Sequence, residues 1–372
     1  MIYLDYQATT PVDPEVAEAM APWIEEKFAN PHSPSRWGRE AAAAIEVARK
    51  RVEHAIGLPD GRLAFTGSAT EALNRALKGI MERMPPSRNR IVTVATEHAA
   101  VLDTCEWLEG RGFAVTRLPV GSDGLLDLDD FTSSLDDSVA LVAVMLVNNE
   151  IGVIQPIEDI AKIAHDAGAM MLSDAVQGLG RVEIPEGPDL VAVSAHKIHG
   201  PKGIGALWMR DGVEPAPLIH GGGQELGIRS GTLSPGLCVG FGAAAKLASE
   251  RSASDREHVA RLWKAALGAM SPGWSINGST DQRYHGNLNL RLEGLDAARL
   301  ISDLRDVAFS LGSACASGSG RPSHVLRAIG LNDRDARSSI RLGFGRYTSE
   351  EELVGTVRRI DAAARAQQGL AA

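Results

Sequence analysis

Short apolar runs alternate with longer amphipathic stretches through the first two thirds of the chain. Arg62–Thr66 is short, apolar and β-compatible, and Ser68–Met84 then reads as a helix. Ser68 is placed to cap that helix, with Glu71 three residues on. The pattern predicts strands at Arg90–Val94 and Phe113–Leu118 with a helix at His98–Glu109 between them. Val139–Val147 is almost wholly apolar, as a strand buried on both faces requires. Pro156–Ala167 opens on proline and continues as a helix. Ala169–Ser173, Leu190–Ser194 and Ile204–Trp208 are further short apolar runs. Repeated β-α units with buried strands predict an α/β fold with a mostly parallel sheet covered by helices.

The pattern changes near Gly221-Gly222-Gly223. One long Ala-rich helix is expected over Pro235–Met270, as a bridge. Beyond it, short runs at Trp274–Asn277, Asn287–Leu292, Val307–Phe309 and Ser338–Leu342 mix with helical stretches at Asp296–Leu304, Pro322–Ile329 and Ser349–Ala366. That mixture predicts a smaller α+β domain. The expected division is a large α/β domain over 12–246 and a small domain built from 1–11 and 247–372.

Composition narrows the function. A chain of 372 residues has material for two or three domains. Lys plus Arg is 38 against 47 for Asp plus Glu, a net charge of −9, so a general nucleic-acid footprint is missing. Glycine is abundant, 39 of 372 against the usual ~7%, and aperiodic, which suits an enzyme with many tight turns and excludes collagen. The three cysteines, Cys105, Cys238 and Cys315, are odd in number and lack a Cys-x-x-Cys pair, which argues against a disulfide framework or a Cys-rich metal site. No apolar stretch approaches the ~18 residues of a membrane span and no signal sequence is seen, so a cytoplasmic chain without membrane contact is expected.

Four segments carry candidate chemistry. In Ser194-Ala195-His196-Lys197, a lysine follows a buried strand and precedes glycines and a proline. A lysine held in such a turn suits Schiff-base chemistry, and an exposed lysine in a Gly-Pro loop is the alternative. Ser194 and His196 beside it can donate to a phosphate. Gly203-Ile204-Gly205 lacks the spacing of a dinucleotide-binding loop. Asp174 ends an apolar strand at the edge where open α/β sheets bind ligands; it can pair with a protonated pyridine nitrogen or simply cap a turn. Thr66-Gly67-Ser68-Ala69-Thr70 is a strand-turn-helix junction, a phosphate site or an ordinary cap. His98 in Thr96-Glu97-His98 can stack on a flat ring or cap its helix, and Asn148-Asn149-Glu150 ends the most apolar strand.

Together these segments resemble the cysteine desulfurases, the NifS/IscS-like class of the pyridoxal-phosphate-dependent class-V aminotransferase family. The similarity runs nearly end to end. It is carried by Tyr3-Leu4-Asp5-Tyr6-Gln7-Ala8-Thr9-Thr10, Asn30-Pro31-His32-Ser33, Thr96-Glu97-His98, Asn148-Asn149-Glu150-Ile151-Gly152, Ser173-Asp174-Ala175-Val176-Gln177, Ser194-Ala195-His196-Lys197, Arg229-Ser230-Gly231-Thr232, Gly312-Ser313-Ala314-Cys315 and Ser338-Ser339-Ile340-Arg341. The resemblance implies a fold of the aspartate-aminotransferase type, fold type I, with pyridoxal 5'-phosphate as cofactor and no metal. It assigns the Schiff base to Lys197, the pyridine nitrogen to Asp174, and the phenolic oxygen to Asn149 and Gln177. His98 stacks on the ring and assists proton transfers, while Ala69, Thr70, Ser194 and His196 hold the phosphate. Thr232 reaches the phosphate of the neighbouring subunit in a homodimer. Arg341, supported by Asn30, binds the substrate carboxylate.

Cys315 lies in a segment of glycine, serine and alanine, where a mobile nucleophile is more natural than a buried structural thiol. The resemblance makes it the acceptor of sulfur from L-cysteine, with L-alanine released and a persulfide passed to an acceptor protein. An iron–sulfur scaffold and a tRNA-thiolation protein both fit, with no direct contact to nucleic acid. A selenocysteine lyase, an aminotransferase of the same fold and an inactive regulatory relative are the alternatives. Cys105 and Cys238 read as structural.

Overall fold

The computed structural model describes residues 1–311 and 322–371. After a short strand β1 (Ile2–Tyr3) and helices α1 (Pro14–Glu25) and α2 (Arg36–Ile56), a central sheet is built from seven strands. These are β2 (Gly61–Thr66), β3 (Arg90–Val94), β4 (Ala114–Leu118), β5 (Val139–Ala143), β6 (Met170–Asp174), β7 (Leu190–Ser194) and β8 (Gly205–Arg210). Their order across the sheet is β2-β8-β7-β6-β5-β3-β4. The run from β7 to β4 is parallel, and β8 lies antiparallel to both of its neighbours.

Every residue of β5 and of β7 is buried, as a strand covered on both faces must be. Alternate side chains enter opposite layers. Val142 of β5, with Val191 and Val193 of β7, joins one core, and Leu141 and Ala143 of β5, with Leu190 and Ala192 of β7, join the other. On the first side lies α2, whose Ala41, Ile45, Ala48, Val52 and Ile56 form a buried helical stripe. It packs against α7 (Pro235–Glu250) so closely that a Cβ on Gly242 would lie 2.6 Å from Ala48 Cα. On the second side lie α3 (Ala69–Arg83) and α4 (Ala99–Glu109), through Leu73, Leu77, Val101 and Cys105. Helices α5 (Leu128–Ser133) and α6 (Ile157–Asp166) complete the first two thirds of the chain.

The long helix expected over Pro235–Met270 is two helices, α7 and α8 (Ser252–Gly268). The break falls at Arg251 for a chemical reason. Its guanidinium reaches Asp13 at 3.1 Å, while its carbonyl receives Ser254 Oγ at 2.9 Å and Asp255 N–H at 2.8 Å, starting a new helix. The expected Val139–Val147 strand also stops early, at Ala143, before the chain turns toward the site.

A second sheet has the order β12-β13-β10-β9, with β9 (Trp274–Ile276), β10 (Asn287–Leu292), β12 (Ser310–Leu311) and β13 (Ser339–Gly343). Strand β11 (Val307–Ala308) pairs with β1, so the first residues of the chain belong to this layer. Its core includes Leu4, Leu262, Leu290, Leu342 and residues of the last helix, Glu350–Ala371. No helix among the described residues is long and apolar enough to cross a membrane.

Candidate active site

The carboxyl ends of β6 and β7, with the turns after β2, β3 and β5, face one cleft of about 280 Å³. Ligands bind at this edge of open α/β sheets. Lys197 stands in a short turn, Ala195–Lys197, directly after β7. The N-terminal segment straps that turn. Thr10 N–H and Oγ each reach the His196 carbonyl at 3.0 Å, and His199 N–H donates to Thr10 Oγ at 2.8 Å. His199 accordingly adopts a left-handed conformation, φ +66°, that only surrounding contacts sustain in a non-glycine residue. The Lys197 amine donates to the carbonyls of Gln7 at 2.6 Å and Ala8 at 2.8 Å. Burial first, then Arg181 and Arg341, pull its pKa down to about 8.

Asp174, last residue of β6, is 7% exposed and accepts Val176 N–H at 2.9 Å. Burial raises its pKa, and a protonated ring nitrogen is the counter-charge such a carboxyl calls for. Gln177, just beyond it in the chain, donates to the Gln7 carbonyl at 2.9 Å. His98 caps α4, its Nδ1 accepting Ala100 N–H at 3.1 Å, so the proton of the neutral ring sits on Nε2. Asn149 lines the cleft, whereas neighbouring Asn148 is turned into its own loop, accepting from the N–H of Glu150 and Ile151.

Ala69 and Thr70, also lining the cleft, open α3, where helix N–H groups have no partner within the helix. Ser68 Oγ takes the Glu71 N–H at 3.1 Å, and Glu71 returns to Gly67 N–H at 2.7 Å. Ser194 and His196 lie beside this helix end. Burial lowers the His196 pKa to about 4, so the ring is neutral at pH 7 and offers hydrogen bonds rather than charge. A carboxylate, helix N–H groups with hydroxyls, and a desolvated amine line this one cleft and match the three polar features of pyridoxal phosphate.

Arg341 lies on β13, 1% exposed, and also reaches the cleft. Asn30, expected to support it, makes its hydrogen bond elsewhere among the described residues of this chain. Asn30 is exposed, and its Oδ1 accepts His32 N–H at 2.9 Å in its own turn. Arg341 is held by Asp5 at 2.7 Å, the Asn149 carbonyl at 3.0 Å and Ser310 Oγ at 3.2 Å, and its buried Nε has no hydrogen-bond partner among the described residues. Thr232 is exposed and outside the cleft. Cys315 lies outside the described residues. Cys105 and Cys238 are buried, and desolvation pushes both thiols up to about 12, so neither is a nucleophile at neutral pH.

Residues that sequence reasoning passed over also belong here. Asp5 anchors Arg341, Gln7 and Ala8 hold the amine through their carbonyls, and Arg181 binds the Lys197 carbonyl at 2.8 Å. Only the opening motif Tyr3–Thr10 carried a signal for the first three. Glu97 and Glu150 are buried carboxyls at the rim of the sheet, both with raised pKa, Glu150 to about 7 through burial. Glu97 accepts Met145 N–H at 2.7 Å, and Glu150 accepts from Ser323 Oγ.

The family model for class-V aminotransferases matches residues 2–354. The cysteine desulfurase IscS of Rickettsia bellii is 47% identical over 96% of this chain and 90% of its own. A NifS-like protein of solved structure superposes with a TM-score of 0.90 at 33% identity, covering 97% of this chain and 98% of that one. A structure of SspA in complex with cysteine gives 0.84 at 35% identity, over 94% and 100% of the two chains. By sequence and by structure, this chain belongs to the class-V aminotransferases and, within them, to the cysteine desulfurases.

Proposed function

We propose that the chain is a pyridoxal 5'-phosphate-dependent cysteine desulfurase that moves the sulfur of L-cysteine onto Cys315 and releases L-alanine. The observation that supports it most is the meeting of Lys197, Asp174 and His98 in one cleft of a desulfurase-family chain. When bound, the cofactor supplies an electron-accepting ring that spreads the negative charge formed at the substrate α carbon. Asp174 faces the ring nitrogen and stabilises its proton. Ala69, Thr70, Ser194 and His196 hold the phosphate, and Asn149 and Gln177 face the ring oxygen.

Lys197 both retains the cofactor and serves as the base for the substrate α proton. An amine whose pKa is about 8 is partly neutral at physiological pH, as that task demands. His98 covers the ring and carries a proton on Nε2. Arg341 binds the substrate carboxylate. The carbon–sulfur bond of L-cysteine breaks, a sulfur–sulfur bond forms on Cys315, and L-alanine leaves with the hydrogen that replaces its sulfur. In a homodimer, Thr232 serves the phosphate of the neighbouring subunit, and a protein acceptor then takes the persulfide sulfur.

Incubation of the cofactor-loaded protein with L-cysteine tests the reading. Alanine should form, with a persulfide on the Cys315 peptide by mass spectrometry, and Cys315→Ser should suppress both. A keto acid in place of alanine, or undiminished turnover by Cys315→Ser, overturns it.

A further inference from the structure

Arg181 occupies the turn after β6, four residues beyond Gln177. It is 9% exposed, and among the described residues no carboxylate pairs with it. A buried guanidinium without a counter-ion is expensive to hold, and it persists only where good hydrogen bonds and a use offset that cost. Its Nη2 donates to the Lys197 carbonyl at 2.8 Å and the Tyr6 carbonyl at 3.2 Å, and its Nη1 donates to Gln177 Oε1. Its Cζ lies 5.3 Å from the centre of the Tyr284 ring. The turn itself is fixed by Gly180, φ +69°, where a Cβ would meet that of Ala248 at 2.8 Å.

Two consequences follow from that geometry. A guanidinium is donor-only, so the Gln177 atom facing it must be the oxygen. The amide nitrogen then points the other way, giving one hydrogen to the Gln7 carbonyl at 2.9 Å and leaving the second free to donate. A ring oxygen bearing negative charge needs that donor, and a flipped amide would set an acceptor against it. The same Gln7 carbonyl also receives the Lys197 amine at 2.6 Å, so the amide and the amine share one anchor.

We propose that Arg181 is a positioning residue, which orients the Gln177 amide to donate to the cofactor and holds a positive charge against the Lys197 turn, on the same hydrogen-bond chain as its amine. The inference rests on the reading of the cleft as a pyridoxal phosphate site. The charged groups acting on the amine are Arg181 and Arg341, which oppose its protonation, and Asp174 and Asp5, which favour it. Arg181 heads the charges in that set, second only to burial in holding the amine near 8.

Two variants separate the two roles. Arg181→Met removes charge and fork; Arg181→Lys keeps the charge and loses the fork. In protein stripped of cofactor, the pH dependence of Lys197 labelling by an amine reagent, read by mass spectrometry, reports the amine directly. The midpoint should lie near 8 in the unsubstituted protein and in Arg181→Lys, and rise by about one unit in Arg181→Met. Pyridoxal phosphate titration followed by absorbance reports the amide. Arg181→Lys should weaken binding about tenfold, Gln177→Ala by a similar factor, and the double variant no further than Gln177→Ala alone. A midpoint unmoved in Arg181→Met, or losses that multiply in the double variant, overturns the proposal. Unsubstituted protein that fails to take up the cofactor overturns the functional reading instead, and the labelling arm still decides whether Arg181 sets the amine. Thermal melts confirm that each variant is folded.

Discussion

Burial disfavours charge of either sign, so it pushes Lys197 and Glu150 toward neutrality from opposite directions. For Glu150 the consequence is a measurable pH dependence of stability. Its carboxyl titrates at about 7 in the folded chain and near its ordinary value of 4.5 when unfolded. Between those values the folded state holds a proton that the unfolded chain has released, so stability falls as pH rises through that window. Glu150→Gln should remove this contribution, on the order of 1–3 kcal/mol. Melting curves from pH 4 to 8 should then show a shallower decline for the variant and its largest relative gain at pH 8. Parallel curves would exclude a titrating Glu150. Single residues were legible in the sequence where local context defined them. Lys197 was, because a buried strand before it and glycine and proline after it mark a turn at a sheet edge. Arg181 was not, because its partners Tyr6 and Lys197 come from remote segments that only folding brings together.

Elements position the site through close backbone approach, as Gly205 at the start of β8 shows where α3 begins. A Cβ there would lie 2.6 Å from Ala69 N and Ser68 C and 2.9 Å from the Val193 carbonyl. All three are backbone atoms, and the first two open α3. Gly205→Ala should therefore displace the first turn of α3, lowering both melting temperature and pyridoxal phosphate affinity, the latter by tenfold or more. Gly355, in the last helix, is the control, because a Cβ there would meet nothing within 4 Å. There alanine should stabilise by about 0.5–1 kcal/mol and leave cofactor affinity alone. Equal affinity in Gly205→Ala would show that the helix end does not hold phosphate. The parallel strands were readable from their apolar runs. The direction of β8 was readable only from its short connection, 195–204, which is too brief for a parallel crossover. The stripe of α2 was present in the sequence but muted by alanine, which packs well against glycine yet contrasts weakly with polar neighbours.

At the scale of the molecule, the first residues of the chain tie the two layers together. Strand β1 pairs in the second layer, Gln7 and Ala8 reach Lys197, and buried Asp13 receives Arg251, Arg346 and the Tyr347 hydroxyl from the later part of the chain. The cleft so assembled lacks Thr232, which stands exposed after the Gly231 turn. If each site of a homodimer borrows Thr232 from its partner, two inactive variants should complement each other. A dimer of one Lys197→Ala chain and one Thr232→Ala chain has one site with both defects and one with neither. Random mixing at equal amounts makes about half of all dimers mixed, so activity should recover to about a quarter of the unsubstituted protein. Residues confined to one chain's site cannot behave this way, because Lys197→Ala mixed with Asp174→Ala leaves one defect in every site. Mixing should be done under conditions of subunit exchange, with alanine formation as the readout. Activity equal to the plain average of the two variants would place Thr232 outside the partner's site.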